Sequence, residues 1–501
     1  MSLRMKLFSS LALAAIVSLP LHADIESDEI VDKQLSYNIE RQVTFGDGNN
    51  PLWLNANKYG MSSLNPNNGY LRLAAEGMNR TGKTKNWSIE YGVDLAAAYN
   101  FTSSFIVQQL YAGFKYKKIG LWLGSKEHAP HLKNKDLSSG SQTFGINARP
   151  IPDIRIETPD YFNLIPNKRW LSMKFHFGYG LTTDKNWQHD FVKKGGRHTN
   201  YVFVHTKSGF LRIGDEEKFP LVAEGGMEWA TQFGGTSYNM DFGGYHDLKM
   251  SAGIKDFFKA IYGGGSDAID YYNNSQGNSL GSWLFSLSYK LKEAKVRLYM
   301  DHFFEDHSQI FLQYGWKDGL YGCEITLPDN PIVKSAVYEY IRTDYQSGPI
   351  YHDGNSTIGD QISAIDNYYN HTIYTGWQHW GQAIGNPLFT SPLYNKDHAL
   401  TFTNNRFRAH HFGFSGQPIK SLSYRLLYTY SENWGTYEFP FDDKKYNTSF
   451  LTEITFSPKR LGLWHTDGNS FRCSFAFDKG NLMGNNTGFQ FTLISRGLFN
   501  L

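Results

Sequence analysis

The chain has 501 residues, and its 49 Lys and Arg nearly balance its 47 Asp and Glu, for a net charge of +2. This balance does not indicate a basic surface for nucleic acid, so no nucleic-acid partner is expected. A mean hydropathy of −0.46 is too polar for a helical membrane protein. It suits a large β-barrel, in which only alternate residues of each strand meet lipid, and the length is natural for one such barrel.

The first residues are typical of a secretory signal peptide, with a basic start and an apolar run at Leu7–Leu21. Ala23 can occupy the cleavage position. The predicted division is a signal peptide at residues 1–23 and an outer-membrane β-barrel domain at residues 24–501. The next residues, Asp24–Gln42, are polar and weakly helical. They predict a short periplasmic segment before the first strand.

The clearest strand signal lies at residues 283–292, where apolar and polar residues alternate. Side chains alternate across a strand, so this run has one apolar and one polar face. The apolar face carries Trp283, Phe285, Leu287, Tyr289 and Leu291. Comparable runs occur at residues 87–95, 110–116, 171–179, 227–233, 422–430, 471–477 and 489–493. At ~10 residues per strand, the sequence predicts an all-β fold, a transmembrane barrel of roughly 16–18 antiparallel strands.

The run at residues 422–430 also predicts which side chains meet lipid. Tyr424, Leu426 and Tyr428 alternate with Arg425 and Thr429. The first three are expected to face lipid and the other two the lumen.

Three long stretches interrupt the strand pattern. They are Lys126–Arg169, Gly234–Gly281 and Thr343–Leu400, and the second contains a helical run at His246–Tyr262. In that run Leu248, Ile254, Phe257, Phe258 and Ile261 can share one face. Loops this long are usually functional, and barrels place them outside or fold them inward. The prediction is that long loops and short helical segments plug the lumen.

The sequence contains two cysteines, Cys323 and Cys473. An oxidising export route permits a disulfide between them, but pairing needs a specific geometry. Two unpaired residues on strand faces fit the sequence at least as well. Two cysteines are too few for a metal cluster.

Two clusters of charged residues and histidines have side chains that could bind a metal or act as acid and base. One is Glu127 with His128 and His131, where Pro130 prevents the helix of a zincin motif. It is interpreted as a polar loop. The other is 301–307, with three acidic residues and two histidines, interpreted as a solvated rim. The sequence contains no recognisable nucleophile motif, and no catalytic residue, metal or cofactor is expected. A two-carboxylate glycosidase stays open because carboxylates are many.

The most informative polar–aromatic segment is 366–392, which is rich in Tyr, Trp, Asn and His. Aromatic faces can stack on sugar rings, while amides and imidazoles bond hydroxyls. The alternative is that these aromatics form an interfacial girdle or pack a plug. The candidate polysaccharide-binding residues are Tyr368, Tyr369, Asn370, Trp377, His379 and Trp380.

Several segments together resemble the Wzi-type capsule assembly family, in the form found in Bacteroidetes. The similarity runs from about Leu35 to the C-terminal end. The segments are Leu137–Ser141, Asn147–Pro152, Asp366–Asn370, Gly376–Trp377, Ile384–Leu388 and Asp478–Gly488. They are fairly specific in combination and weak singly.

The resemblance implies an outer-membrane barrel closed by loops and helical segments, with a lectin-like, non-enzymatic role in capsule or exopolysaccharide assembly. No binding residue is transferred from relatives to this chain. The expected partners are capsular or extracellular polysaccharide, outer-membrane lipid and polysaccharide export machinery. The alternative hypotheses are a carbohydrate-selective porin and an outer-membrane glycan hydrolase.

Overall fold

The computed structural model describes residues 33–81, 86–240, 246–263, 277–305, 317–346, 366–461 and 464–499, so the predicted signal peptide lies outside it. In chain order the strands are β1 (Lys33–Asp47), β2 (Asn68–Thr81), β3 (Trp87–Tyr99), β4 (Phe105–Tyr116), β5 (Ile119–Ser125), β6 (Asp153–Glu157), β7 (Phe162–Asn163), β8 (Leu171–Leu181), β9 (His198–Asn200), β10 (Phe203–Ile213), β11 (Leu221–Phe233), β12 (Thr236–Tyr238), β13 (Leu248–Lys249), β14 (Asn278–Lys290), β15 (Lys295–Glu305), β16 (Gly319–Thr326), β17 (Ser335–Arg342), β18 (Gln378–His379), β19 (Gln382–Ala383), β20 (Arg406–Ile419), β21 (Leu422–Gly435), β22 (Pro440–Phe456), β23 (Arg460–Leu461), β24 (Trp464–His465), β25 (Asn469–Gly480) and β26 (Asn486–Phe499). The helices are α1 (Leu52–Asn55), α2 (Lys185–Phe191) and α3 (Ile254–Ile261), with a 3-10 turn at Pro392–Tyr394.

Nineteen of these strands form one antiparallel sheet. Strands β6 and β7 both pair with β8 and share one position in the wall, which leaves 18 strand positions. The sheet closes because β1 pairs with β26, from Leu35 opposite Phe499 to Asp47 opposite Thr487. The predicted all-β barrel of about 16–18 strands is therefore confirmed. The small strands β9, β12, β13, β18, β19, β23 and β24 lie outside this sheet.

The wall is apolar outside and polar inside, as the alternation predicts. In β14, Leu287 is 46% exposed, whereas its neighbours Ser286 and Ser288 are only 6% and 4% exposed. In β21, Tyr428 is exposed while Thr429 is buried and accepts a 3.2 Å hydrogen bond from a plug tryptophan, Trp53. The lipid-facing and lumen-facing assignments of the strand runs agree with this arrangement.

The two ends of the barrel differ in the length of their connections. The short-turn end contains residues 117–118, 291–294 and 420–421, together with the first residue of β1 and the last of β26. The long-loop end contains the connections at 48–67, 126–152, 182–202, 234–277 and 343–405. Barrels keep short turns on the periplasmic side and long loops outside, which gives the expected orientation.

Segments of the long connections fold into the lumen and form a packed plug. Its core contains Trp53, Leu137, Tyr369, Trp377 and Phe389, all at most 2% exposed. These side chains pack in one cluster with inward residues of the wall, including Phe303, Ile341 and Phe407. The prediction that long loops and short helical segments plug the lumen is confirmed except for α3, whose Phe257 packs on the outward-facing wall residues Tyr179, Phe203 and Phe233.

Two buried wall carboxylates hold the 126–152 connection in place. Glu339 accepts hydrogen bonds from the Ser138 hydroxyl at 2.6 Å and from the Ser139 backbone N–H at 2.8 Å. Asp301 pairs with Lys133 and also accepts the Gln142 N–H at 3.0 Å. The acidic group at Asp301 is therefore a buried anchor, and the expectation of a solvated rim there was wrong. Residues 306–307 lie outside the described ranges.

Two segments that were predicted to be helical differ in the structure. The run at His246–Tyr262 is helical only from Ile254, where Asp256 accepts the Gly253 N–H at 2.8 Å and caps the helix. Leu248 lies in β13 and packs in the plug, so it shares no face with α3. The predicted periplasmic segment Asp24–Gln42 was wrong from residue 33 onward, because β1 obtains two ladders, with β2 and β26, that outweigh its polar composition.

In the described ranges, no helix is long and apolar enough to span a membrane. Both cysteines are free thiols. Cys323 lies on β16 and Cys473 on β25, and these strands are not neighbours in the wall. The unpaired interpretation therefore holds.

Candidate functional site

Two of the candidate residues, Tyr368 and Tyr369, are fully buried in the plug. The Tyr368 hydroxyl donates to Asp318 at 3.0 Å. The Tyr369 ring stacks on Phe389 with centroids 4.0 Å apart, and its backbone N–H donates to Glu305 at 2.6 Å. Burial raises the pKa of both phenols, so both stay neutral hydrogen-bond donors. Their ring faces pack against protein.

Asn370 and His379 fix the backbone of the same segment. Asn370 exchanges two 2.8 Å hydrogen bonds with the backbone of Phe402. His379 accepts the Thr183 N–H at Nε2 (3.1 Å), so its proton lies on Nδ1 and is donated to the Arg149 carbonyl at 2.9 Å. Burial lowers the pKa of His379, and the neutral ring is the form that both bonds require.

Trp377 lines a cavity of about 130 Å³ within the lumen. The side chain is 1% exposed, and its indole N–H has no hydrogen-bond partner among the described residues. Arg149 Nε and Thr206 Oγ1 line the same cavity and are likewise buried without a partner there. A small, mostly apolar cavity with a few unmet donors and an acceptor suits water or one hydroxyl-bearing group.

Trp380 is a partly exposed aromatic residue at the surface of the plug. Its backbone φ is +55°, a left-handed conformation that costs about 1–3 kcal/mol outside glycine and is often found at functional sites. Its N–H donates to Asp184 at 3.0 Å, which holds this strained residue. The Arg149 guanidinium lies over the ring, 4.3 Å from its centroid. Burial lowers the pKa of Arg149 to about 10, and Asp184 opposes the shift, so Arg149 remains a cation near neutral pH.

Three further aromatic rings extend from Trp380 at the long-loop end. The ring of Trp187 is 6.3 Å from Trp380, Phe191 stacks on Trp187 at 4.8 Å, and His398 stacks on Phe191 at 5.0 Å. We call these four residues the aromatic row. His398 is exposed and the other three are partly buried. Part of each of these four residues is therefore accessible from the outside.

Local sequence explains the positions of the row. Trp187 and Phe191 are four residues apart on α2, so they lie on one face of that helix. The Trp187 ring closes over Gly381, where a Cβ would come within 2.5 Å of it. Only glycine permits this approach, because Gly381 also has a φ of +78°.

The group at residues 127–131 does not converge on one point. Glu127 pairs with Arg72 at 2.9 Å, whereas His128 Nδ1 lies 3.8 Å from Glu157. His131 stacks near Phe210 at 4.6 Å. Burial holds the pKa of both histidines far below the usual range. In the described part of the chain no group of three or more His, Cys, Asp or Glu side chains could hold a metal ion.

Below the plug, the lumen keeps polar chambers at the short-turn end. One has a volume of about 760 Å³ and is lined by Glu40, Arg72, Glu76 and Asp94 among others. A second, of about 380 Å³, lies beside Arg297. In the first chamber, Arg72 forms an ion pair with Asp94 at 2.5 Å.

A closed barrel with an apolar exterior and a plugged lumen belongs to the outer-membrane type of β-barrel. No family model and no curated protein matches the chain. A solved structure with a similar fold is Wzi, an outer membrane protein involved in group 1 capsule assembly in Escherichia coli and a carbohydrate-binding β-barrel. The identity is 11% and the TM-score 0.55, over 91% of this chain and 83% of that one.

Two further solved structures show a weaker similarity. OccD1 (OprD) has 8% identity and a TM-score of 0.47, with 94% and 96% of the two chains covered. OccD3 (OpdP) of Pseudomonas aeruginosa has 8% identity and a TM-score of 0.46, with 96% and 95% covered. At such identities the likeness establishes the fold alone.

Sequence reasoning missed most of the aromatic row. It selected Trp380 but did not select Trp187, Phe191 or His398. The available signal was the pair of aromatics four residues apart in a short polar connection, Lys185–Phe191. His398 had no local signal, because only the folded plug brings it to Phe191.

Proposed function

We propose that this protein is an outer-membrane, lectin-like barrel that holds or organises capsular or extracellular polysaccharide at the cell surface. The observation that carries the proposal is the aromatic row on the plug at the long-loop end. The family resemblance in the sequence and the fold of a carbohydrate-binding barrel both support it. The proposed role is non-catalytic and needs no cofactor.

The row suits weak, repeated contact with a polymer. The exposed part of each ring offers an apolar surface to a sugar, and contact with one ring supplies about 1 kcal/mol. Polar side chains lie close by, including the Thr183 hydroxyl, which accepts the Trp380 indole N–H at 3.3 Å. Several such contacts along one chain add through effective concentration, so useful retention does not require one deep pocket.

The remaining candidate residues have different proposed roles. Trp377 would meet a ligand only through its cavity, where the indole N–H is available to a hydroxyl. Tyr368, Tyr369, Asn370 and His379 are proposed to position Trp380 through the buried contacts described above. Replacing Trp377 and Trp380 together would therefore not separate loss of folding stability from loss of the surface contact. Truncating a buried Trp such as Trp377 costs about 3–5 kcal/mol of stability.

The test separates these effects with surface variants. A deletion strain is complemented with the wild type, with Trp187→Ala plus Trp380→Ala, or with Phe439→Ala. Phe439 is a matched control, since it is an exposed aromatic (71%) at the same end but outside the row. Cell-attached and released polysaccharide are weighed, and folding is checked by the migration of unboiled and boiled samples.

The double variant should fold and release more polysaccharide into the medium, while the Phe439→Ala strain should match the wild type. A folded double variant that retains its full capsule would refute a role for the row. Binding of the purified proteins to extracted polysaccharide gives a second readout that does not depend on growth.

The porin alternative predicts a different measurement. Because the plug fills the lumen, the pure protein should give no large, steady conductance in planar bilayers. A large conductance blocked by sugars would favour the porin. Release of reducing ends from the cell's own polysaccharide, lost on changing one carboxylate, would favour the hydrolase.

A further inference from the structure

Helix α3 lies on the outside of the barrel wall. Its Phe257 ring packs on Tyr179, Phe203 and Phe233, with centroid distances of 5.2, 5.3 and 4.9 Å. The Tyr179 hydroxyl also donates to the Phe257 carbonyl at 2.7 Å. The side of the wall that these contacts occupy is fixed by the strand register.

The wall beneath α3 carries polar side chains where lipid-facing residues would be expected. His205, Thr231 and Ser279 lie opposite one another in β10, β11 and β14. They have the same parity as Leu211 and Leu287, which are exposed on the outer surface. Yet all three polar residues are 0% exposed. The outward polar patch is therefore covered by protein.

The two ends of α3 are tied down locally. At its start, the Asp256 carboxylate accepts hydrogen bonds from the Ser251 hydroxyl at 2.5 Å and the Gly253 N–H at 2.8 Å. At its end, the Lys207 ammonium, which points outward from β10, donates to the Ile261 carbonyl and lies 4.6 Å from the Trp229 ring centroid. A cation at the carboxyl end of a helix also complements its dipole.

The face of α3 that points away from the wall is apolar. Ile254, Phe258 and Tyr262 are 79%, 65% and 78% exposed. They are spaced four residues apart and so form one stripe. Lys255, next to the stripe, is exposed as well. Three large apolar side chains in water would be costly, whereas the same stripe continues the apolar exterior of the barrel.

We propose that α3 is an interfacial helix that docks in the lipid leaflet at the long-loop end, with Ile254, Phe258 and Tyr262 among the acyl chains. Lys255 extends its ammonium to anionic headgroups. The helix thereby substitutes an apolar surface for the polar patch of His205, Thr231 and Ser279. This inference rests on the membrane location in the proposed function, and the test distinguishes failure of the two.

The experiment measures the depth of single labels. In a background of Cys323→Ser and Cys473→Ser, an environment-sensitive fluorophore is attached to Phe258→Cys, Leu287→Cys or Lys194→Cys. Leu287 is the lipid-facing control on the wall, and Lys194 is an exposed loop control at the long-loop end. The proteins are reconstituted in phosphatidylethanolamine–phosphatidylglycerol vesicles that carry spin labels on shallow acyl carbons. Tyr262→Cys serves as a second site if the first variant folds poorly.

The label at 258 should show a blue-shifted emission and a loss of intensity with spin-labelled lipid that approach those at 287. The label at 194 should be unaffected. Emission at 258 like that at 194, with 287 still quenched, would overturn the inference and leave the barrel in the membrane. If 287 were also unquenched, the membrane location itself would fail. A label at 258 shielded from both lipid and aqueous iodide, with cross-linking between chains, would assign the stripe to a second copy instead.

Discussion

Replacing Glu339 with alanine should loosen the plug. The carboxylate is 0% exposed on the lumen side of β17 and joins the wall to the 126–152 connection. It accepts the Ser138 and Ser139 hydroxyls at 2.6 and 2.5 Å, the Ser139 N–H at 2.8 Å and the Tyr299 hydroxyl at 2.6 Å. Alanine leaves all four donors without their acceptor.

The magnitude follows from these bonds. A hydrogen bond to a charged group contributes about 1.5–3 kcal/mol, and the four share one acceptor group, so their effects do not add fully. Water entering from the lumen recovers part of the loss. A destabilisation on the order of 3–5 kcal/mol is expected, comparable to breaking a buried ion pair. The matched control is Glu217→Ala, whose partner Arg169 lies 2.8 Å away in an exposed pair at the short-turn end. Such a pair contributes less than about 1 kcal/mol.

Two assays report the result. The temperature at which unboiled protein shifts to its unfolded migration should fall for Glu339→Ala and stay near the wild type for Glu217→Ala. Planar bilayers should show intermittent openings only for Glu339→Ala, because a released connection opens the lumen. A Glu339→Ala protein with an unchanged transition and a closed lumen would refute the idea that this carboxylate anchors the plug.

Two further predictions follow from the wall and from the plug. Leu426→Arg should lower the assembled fraction of the protein, at a cost of ~2–4 kcal/mol if the site lies near mid-membrane. Arg425→Ala should have a mild effect, because Glu453 keeps a second cationic partner, Arg472, at 3.8 Å. The two variants would be compared by gel migration, and equal effects would contradict the assignment of lipid-facing and lumen-facing positions. Because burial lowers the pKa of His379, the unfolded segment takes up a proton below its ordinary pKa of 6.5 while the folded one does not, so plug stability is present above that pH and falls below it. Protease cleavage in the plug should therefore rise from neutral to about pH 5. His379→Asn, which keeps a donor and an acceptor, should lessen this rise without abolishing it, because burial also lowers the pKa of His128 and His131 in the plug. An unchanged acid sensitivity in the variant would contradict the assignment to His379.

The wall could be predicted because its pattern has a period of two. The run at 283–292 identified both a strand and its lipid side. The pattern did not predict segments whose structure depends on pairing with neighbouring strands. The polar stretch at the start of β1 becomes a strand because it forms two ladders, with β2 and β26.

The site was less predictable for a different reason. Segment 366–392 was recognised from composition, but composition does not distinguish Tyr369, stacked inside the plug, from Trp380 at its surface. The aromatic row depends on contacts between distant connections, such as Phe191 with His398. The outward His205 was a usable signal, because a polar residue on the lipid side of a strand implies a cover.

The seam between β1 and β26 constrains the order of assembly. It joins the two ends of the described chain through 13 residue pairs, from Leu35–Phe499 to Asp47–Thr487. These contacts have the greatest sequence separation in the wall, so their loop-closure cost is the largest and they should form last. Until then both strands expose unpaired backbone, which a bilayer does not tolerate. A chain halted before β26 is therefore expected to stay with chaperones or the insertion machinery rather than to enter the membrane as a smaller barrel.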